Sequence, residues 1–360
     1  MRNCLVPILL VLYLPTGLTQ DNYQVLRGDA RDFTQVRPGK LLEFPGDHNP
    51  HPDFRLEWWY ITANLKDDQG RDWGLQWTLF RQALDAKVDT EGWDSNQLWM
   101  AHAAISSPQG HSFEQRFARG GIGQAGVENK DYFSAWLDDW QWQASGASMF
   151  PAELKFSVGD RRVEMRLESS SQWVLHGDRG YSQKSAQGQA SYYYSQPDIS
   201  ISGTIQTGDE KLALSGKAWL DREWSSQPLA RNQSGWDWFS LHLADGNKLM
   251  LYRLREDDGD DWLSGTWISA DGETRTLKGG EIELIVLSKR RINIDAQTAI
   301  ELPLEWSIKL PQLDRQWRVK PLYDAQWMGT RYAYWEGVVL IEDQDGRPAG
   351  EGYMELTGYD

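Results

Sequence analysis

The sequence predicts an all-β protein built from two consecutive antiparallel β-barrels that arise from an internal duplication. Three observations predict it: apolar residues alternate with period two along most of the chain, hairpin turns recur at short intervals, and the second half repeats the grammar of the first. The length of 360 residues is comfortable for two domains.

The alternation is clearest in residues 57–65. There Trp59, Ile61, Ala63 and Leu65 fall on one face of a strand, and Trp58, Tyr60, Thr62 and Asn64 on the other. Residues 74–81 set Leu75, Trp77 and Leu79 against Gln76, Thr78 and Phe80. Asp67-Asp68-Gln69-Gly70 lies between the two runs and reads as a hairpin turn. Ala244-Asp245-Gly246-Asn247 plays the same part later, and Asp271-Gly272 and Asp345-Gly346 are further hairpin signals. Many short strands joined by such turns make a sandwich or a barrel.

The repeat aligns Trp58-Trp59-Tyr60 and Arg81 with Trp236-Asp237-Trp238 and Arg253. It also aligns the stretch from Tyr192-Tyr193-Tyr194 to Trp219-Leu220-Asp221 with the stretch from Tyr332-Ala333-Tyr334 to Tyr353-Met354-Glu355. The polar residues 225–234 separate the halves, so the expected domains are residues 28–225 and 226–360. Closing a sheet into a barrel removes its edges, and the inward faces can line a cavity. The expected site is therefore a barrel interior, with the seam between the barrels as a second favoured place.

Twenty tryptophans are several-fold more than usual. They suit the walls of a pocket for an extended apolar or ring-bearing ligand, and they suit filling a large barrel equally well. The net charge of −15 repels a phosphate backbone, which excludes nucleic acid as a partner. Arg2, the apolar residues 5–14 and the Gly17-Leu18-Thr19 site read as an export signal covering residues 1–19. The expected location is periplasmic or secreted, with an uncleaved membrane anchor as the alternative. The single cysteine, Cys4, falls inside this segment, so the mature chain has no disulfide and no thiol nucleophile.

Two clusters could carry chemistry. In the first, Asp47, His48, His51, Asp53 and Glu57 crowd a Pro/Gly-rich loop entering a strand. Three readings stay open there: loop-ordering hydrogen bonds, a divalent cation, or proton transfer by His48 or Glu57 at a pocket mouth. The expectation adopted is that no metal is bound. In the second, Trp219, Asp221 and Glu223 alternate onto one face, with Leu220, Arg222 and Trp224 on the other. Two buried acids among aromatics would have raised pKa values, making one a proton donor near neutrality. Salt bridges to Arg222, Arg231 or Arg253 at a barrel rim are the competing reading, for Asp237 as well. His102 shares a face with Met100 and Ala104 and reads first as a satisfied core histidine.

Several of these stretches together resemble a known family. They are Phe-Pro-x-Asp-His through Glu-Trp-Trp-Tyr (residues 44–60), Gly-Tyr-Ser-x-Lys (180–184), Trp-Leu-Asp-Arg-Glu-Trp (219–224), Gly-Trp-Asp-Trp-Phe (235–239), Tyr-Trp-Glu-Gly (334–337) and Glu-Leu-Thr-Gly-Tyr (355–359). The family is that of lipocalin-like secreted proteins described as hydrolases and related to carotenoid 1,2-hydratase and kievitone hydratase. The resemblance implies two lipocalin-like barrels, and a cofactor-independent addition of water to an isoprenoid C=C bond with Asp221 as the acid. It also implies an ABC-transporter permease of the lipoprotein-releasing type as a partner. The expected function is binding of a lipophilic small molecule, with the hydratase as the alternative and peripheral membrane association compatible with both. The candidate catalytic residues are Asp221, Glu223, His48 and Glu57. The candidate ligand contacts are Trp58, Trp59, Tyr60, His102, Tyr181, Lys184, Trp219, Trp224, Trp236, Asp237 and Trp238.

Overall fold

The computed structural model describes Leu26 and residues 30–295 and 297–359. The expected leader, residues 1–19 with Cys4, lies outside the described residues. Among the described residues no helix is long and apolar enough to cross a membrane.

The first sheet is made of β1 (Leu56–Asp67), β2 (Asp72–Ala83), β3 (Gln97–Ser107), β4 (Gly110–Arg119), β5 (Ala125–Asn129), β6 (Phe133–Leu137), β7 (Trp140–Ala144), β8 (Ala152–Val158), β9 (Arg161–Glu168), β10 (Val174–Leu175), β11 (Tyr181–Gln183), β12 (Ala190–Thr207) and β13 (Glu210–Ser225). The second sheet follows with β14 (Gln233–Leu243), β15 (Lys248–Glu256), β16 (Trp262–Ile268), β17 (Thr274–Lys278), β18 (Glu283–Asn293), β19 (Ala299–Leu310), β20 (Arg315–Pro321), β21 (Trp327–Met328), β22 (Tyr334–Glu342) and β23 (Pro348–Thr357). The strand orders are β4-β3-β2-β1-β13-β12-β9-β8-β7-β6-β5 and β17-β16-β15-β14-β23-β22-β20-β19-β18. Each sheet thus starts with a four-strand meander, and its last strand returns to lie beside its first. The duplication read from sequence is written in this topology: β1 corresponds to β14, β13 to β23, and β12 to β22.

Both sheets curl into barrel or half-barrel shapes, giving the lipocalin-like double barrel. In the first, β3 and β4 fold over onto β6 and β8. Its interior takes one parity of each strand: Trp59, Ile61, Ala63 and Leu65 from β1, and Leu75, Trp77 and Leu79 from β2. Trp140 and Trp142 enter from the far wall, and the Trp77 and Trp142 rings meet edge to face at 6.2 Å. In the second, Phe239 of β14 meets Trp306 of β19 edge to face across the barrel at 5.6 Å, and Trp267 stacks on Trp317 at 6.1 Å.

These interiors are packed with large side chains, which corrects the expectation of a ligand cavity inside a barrel. Tryptophan fills volume efficiently, and a filled core leaves no room for a guest. The cavity lies instead where the outer faces of the two barrels meet. There β1 packs against β23, and Asn64 Nδ2 donates to the Gly352 carbonyl at 2.9 Å.

Candidate functional site

The opposite parity of the same strands builds the seam. Trp58 and Tyr60 on β1 face away from the first barrel's core because Trp59 and Ile61 face into it. Antiparallel register then lines up side chains across strands into rows. One row of the first barrel reads Ser195, Asp221, Tyr60, Thr78, His102. Its neighbour reads Tyr193, Glu223, Trp58, Phe80, Met100. The second barrel answers with the row Glu336, Glu355, Trp238, Tyr252. Between these rows lies a cavity of about 530 Å³. Its walls are largely apolar, with Trp58, Phe80, Met100, Trp236, Trp238 and Leu254 among them. That size and lining are those of a small-molecule site.

The polar end of the cavity is unusual in being acidic and buried. Asp221 is 2% exposed. Its Oδ1 accepts from the Tyr193 hydroxyl at 3.0 Å, from Trp219 Nε1 at 3.1 Å and from the Ser195 hydroxyl. Among the described residues its Oδ2 has no hydrogen-bond partner. Burial is the dominant influence and pushes its pKa up to about 7, against the three donors. Glu355 accepts from Trp236 Nε1 at 2.9 Å, and Glu336 accepts from the Tyr60 hydroxyl at 2.5 Å. Burial raises Glu355 to about 8, helped by Asp221 and Glu223 nearby, and holds Glu336 well above the carboxylate range. Glu336 and Glu355 are directly opposed on β22 and β23, so the charge of either disfavours ionisation of the other.

Glu223, next on the same face, has its charge answered. It lies 2.9 Å from Lys184 Nζ and accepts from Ser191. Burial works against the Lys184 charge, yet Glu223 and Tyr252 hold its pKa above the ordinary value. The ammonium also sits over the rings of Tyr252 (4.1 Å) and Tyr193 (4.9 Å). His102 is fully buried in the cavity wall, where its Nδ1 bonds the Tyr334 hydroxyl at 2.8 Å and its Nε2 has no partner. Burial lowers its pKa to about 3, so the ring is neutral. His176, behind Asp221, bonds Ser195 Oγ at 2.6 Å and Thr266 Oγ1 of the second barrel at 2.8 Å.

Other residues singled out from sequence go elsewhere. Glu57 is held between Arg81 and Arg222, the latter at 2.5 Å, and is kept ionised despite its burial. It touches the cavity edge with both oxygens engaged, which is no position for a proton donor. His48 turns to the Tyr194 hydroxyl at 2.6 Å and is neutral, with burial pulling its pKa to about 3. His51 bridges Asp47 (3.0 Å) and Glu57 (3.3 Å) and stacks on Trp224 at 4.0 Å. The polar loop is thus a plug in the mouth of the first barrel, closed by the Arg222 guanidinium over the Trp59 ring at 3.9 Å. Trp59, in the barrel core, and Trp224 contact that plug and are not in the cavity lining. Asp237 occupies the same kind of place in the second barrel, bonded to Arg253 (2.7 Å), Arg255 (2.8 Å) and Tyr359 (2.7 Å). Tyr181 lies outside the cavity lining, half-buried on β11, whereas Lys184 is in it. Trp58, Tyr60, His102, Trp236 and Trp238 all line the cavity, and Trp219 stands behind Asp221.

Sequence reasoning missed Tyr193, Ser195, His176, Glu336 and Glu355 as members of the site. For Glu355 the signal was present, because the repeat makes it the counterpart of Asp221. His176 has no such signal, since a two-residue strand and a loop carry it to the seam.

Residues 35–359 of the chain match the AttH-like family. The protein belongs to the AttH-like family. A crystal structure of an AttH protein (NE1406) from Nitrosomonas europaea is 35% identical, with a TM-score of 0.79 over 91% of this chain and all of that one. Kievitone hydratase from Nectria haematococca shares the fold at 15% identity, with a TM-score of 0.65 over 90% of this chain and 95% of that one. CghA, solved with Sch210972, does so at 9% identity and a TM-score of 0.54 over 93% and 97% of the two chains. No curated protein matches the sequence.

Proposed function

We propose that this AttH-like protein binds an unsaturated lipophilic molecule, of isoprenoid type, at the seam and adds water to a C=C bond by acid catalysis. The observation that carries this reading is Asp221: a buried carboxyl lining an apolar cavity, with one oxygen held by three donors and the other bare. The proton leaves Oδ2 for the alkene carbon, and the π pair forms the new C–H bond. The tertiary carbocation left behind faces Trp58, Tyr60 and Trp238. Desolvated aromatic faces stabilise a cation by about 2 kcal/mol each. Tyr193, Ser195 and Trp219 stabilise the carboxylate formed on Asp221. Water bonds to the cation, and the proton it sheds restores the acid. The balance is alkene plus water to alcohol, and it uses this chain's own groups.

The kievitone hydratase neighbour supports the reading through the shared fold. A carrier is the second reading, favoured by the predominance of apolar wall. In it the chain works outside the cytoplasm or at a membrane surface and passes its ligand to an ABC-transporter permease.

The test is incubation with farnesol, squalene and lycopene in ¹⁸O-labelled water, with product followed by mass spectrometry. Wild type should give labelled alcohol from one of them. Asp221→Asn should keep binding and give none. Turnover that survives Asp221→Asn would remove this acid from the mechanism. Binding by wild type without any product leaves the carrier.

A further inference from the structure

The polar end of the cavity also restricts what the ligand can carry there. The described polar groups lining it are carboxyls, hydroxyls, one imidazole and cations already paired with carboxylates. Asp221 Oδ2 and His102 Nε2 are unpartnered, each on a side chain more than nine-tenths buried, and both residues line the cavity. Glu355 shares that wall, and Glu336 stands directly behind it on the next strand. Two cations reach the inner wall, and the charge of each is already spent. Lys184 is paired with Glu223 at 2.9 Å, and Arg81 with Glu57. Arg331, the third cation of the described lining, is exposed, where solvent screens its charge.

We propose that the seam takes lipophiles whose polar group is an uncharged hydrogen-bonding oxygen (hydroxyl, carbonyl or ester) and rejects those ending in a carboxylate or phosphate. An anionic head seated there would lie among buried carboxyls, where both buried cations of the described lining are already paired, and an uncompensated buried charge is strongly penalised. An alcohol or carbonyl oxygen instead meets the carboxyl proton of Asp221 at its unpartnered Oδ2 and leaves none of the wall's own charges unpaired. The same arrangement would let an alcohol produced at the seam remain hydrogen-bonded there. The inference deepens the proposed function by naming the ligand class, and it rests on the seam being the ligand site.

The experiment is displacement of Nile red from the full-length protein at neutral pH by farnesol, methyl farnesoate, farnesoic acid and farnesyl phosphate. The ester and the acid share one chain and differ in charge. Farnesol and the ester should displace the dye at concentrations at least about tenfold below the two anions. Equal or better displacement by farnesoic acid overturns the proposal while leaving the seam a lipophile site. No displacement by any of the four sinks both together. Glu223→Gln supplies an independent arm, because it frees the Lys184 ammonium. In that variant farnesoic acid should gain on methyl farnesoate by about tenfold. An unchanged ratio in a folded variant also counts against the proposal, and if the variant does not fold the wild-type ratio decides.

Discussion

Asp221 keeps its proton to about pH 7 because burial penalises its charge more than Tyr193, Ser195 and Trp219 stabilise it. That has a consequence for folding. Between the ordinary carboxyl range and pH 7 the folded chain holds this proton while the unfolded chain has released it. The folded state therefore binds more protons, and stability falls as pH rises through this window. A rise from 3.8 to about 7 corresponds to about 4 kcal/mol. Glu355, raised to about 8, extends the loss to higher pH with the same sign. Urea midpoints at pH 5 and pH 8 should show wild type weaker at pH 8 and Asp221→Asn losing a smaller part, the remainder coming from Glu355; the same pH difference in both would mean that Asp221 is not buried neutral. Glu57 behaves oppositely. It is buried ionised between two guanidiniums, and Glu57→Gln strands both charges. Loss of about 3–5 kcal/mol is expected by chemical denaturation, with dye binding at the seam retained.

At the scale of a strand, alternation divides β1 into two jobs. Trp59 and Ile61 fill the first barrel, while Trp58 and Tyr60 face the ligand. Two tryptophans of similar bulk should therefore fail differently. Trp77→Ala, in the barrel core, should cost about 3–5 kcal/mol of stability and leave Nile red affinity nearly unchanged. Trp58→Ala, at the cavity wall, should weaken dye binding and cost much less stability. Melting temperature and dye titration on both variants separate the roles, and the reverse pattern would place the ligand inside the barrel. The faces of β1, β2, β13 and β14 were legible from sequence, because a side-chain period of two leaves no third choice. The plug formed by His48, His51, Glu57, Arg81 and Arg222 was not. A loop rich in histidine and carboxylates reads like a site until the guanidiniums that consume its charges are seen.

At the scale of the molecule, function depends on how closely two barrels approach. Gly74 on β2 marks the contact. A Cβ there would sit 2.3 Å from Val338 Cγ2 and 2.8 Å from the Tyr353 hydroxyl, both on the second barrel. Gly74→Leu should wedge the barrels apart, weakening dye binding at the seam more than it unfolds either barrel. Tryptophan fluorescence and dye titration in parallel would show this. Wild-type dye affinity in that variant would mean that the seam does not shape the cavity.

Strand content, the face each side chain takes and the duplication were determined by the sequence alone. The first two follow from local periodicity, which the chain carries in every short window, and the third from comparing its two halves. The address of the cavity was decided by tertiary structure. Twenty tryptophans lend themselves to lining a hollow or to filling one. Only the packing of opposite barrel walls shows that the inward set fills and the outward set lines. Pairing Asp221 with the Glu336–Glu355 carboxyls likewise required the second repeat to turn its outer face onto the first, a long-range contact that no local pattern encodes.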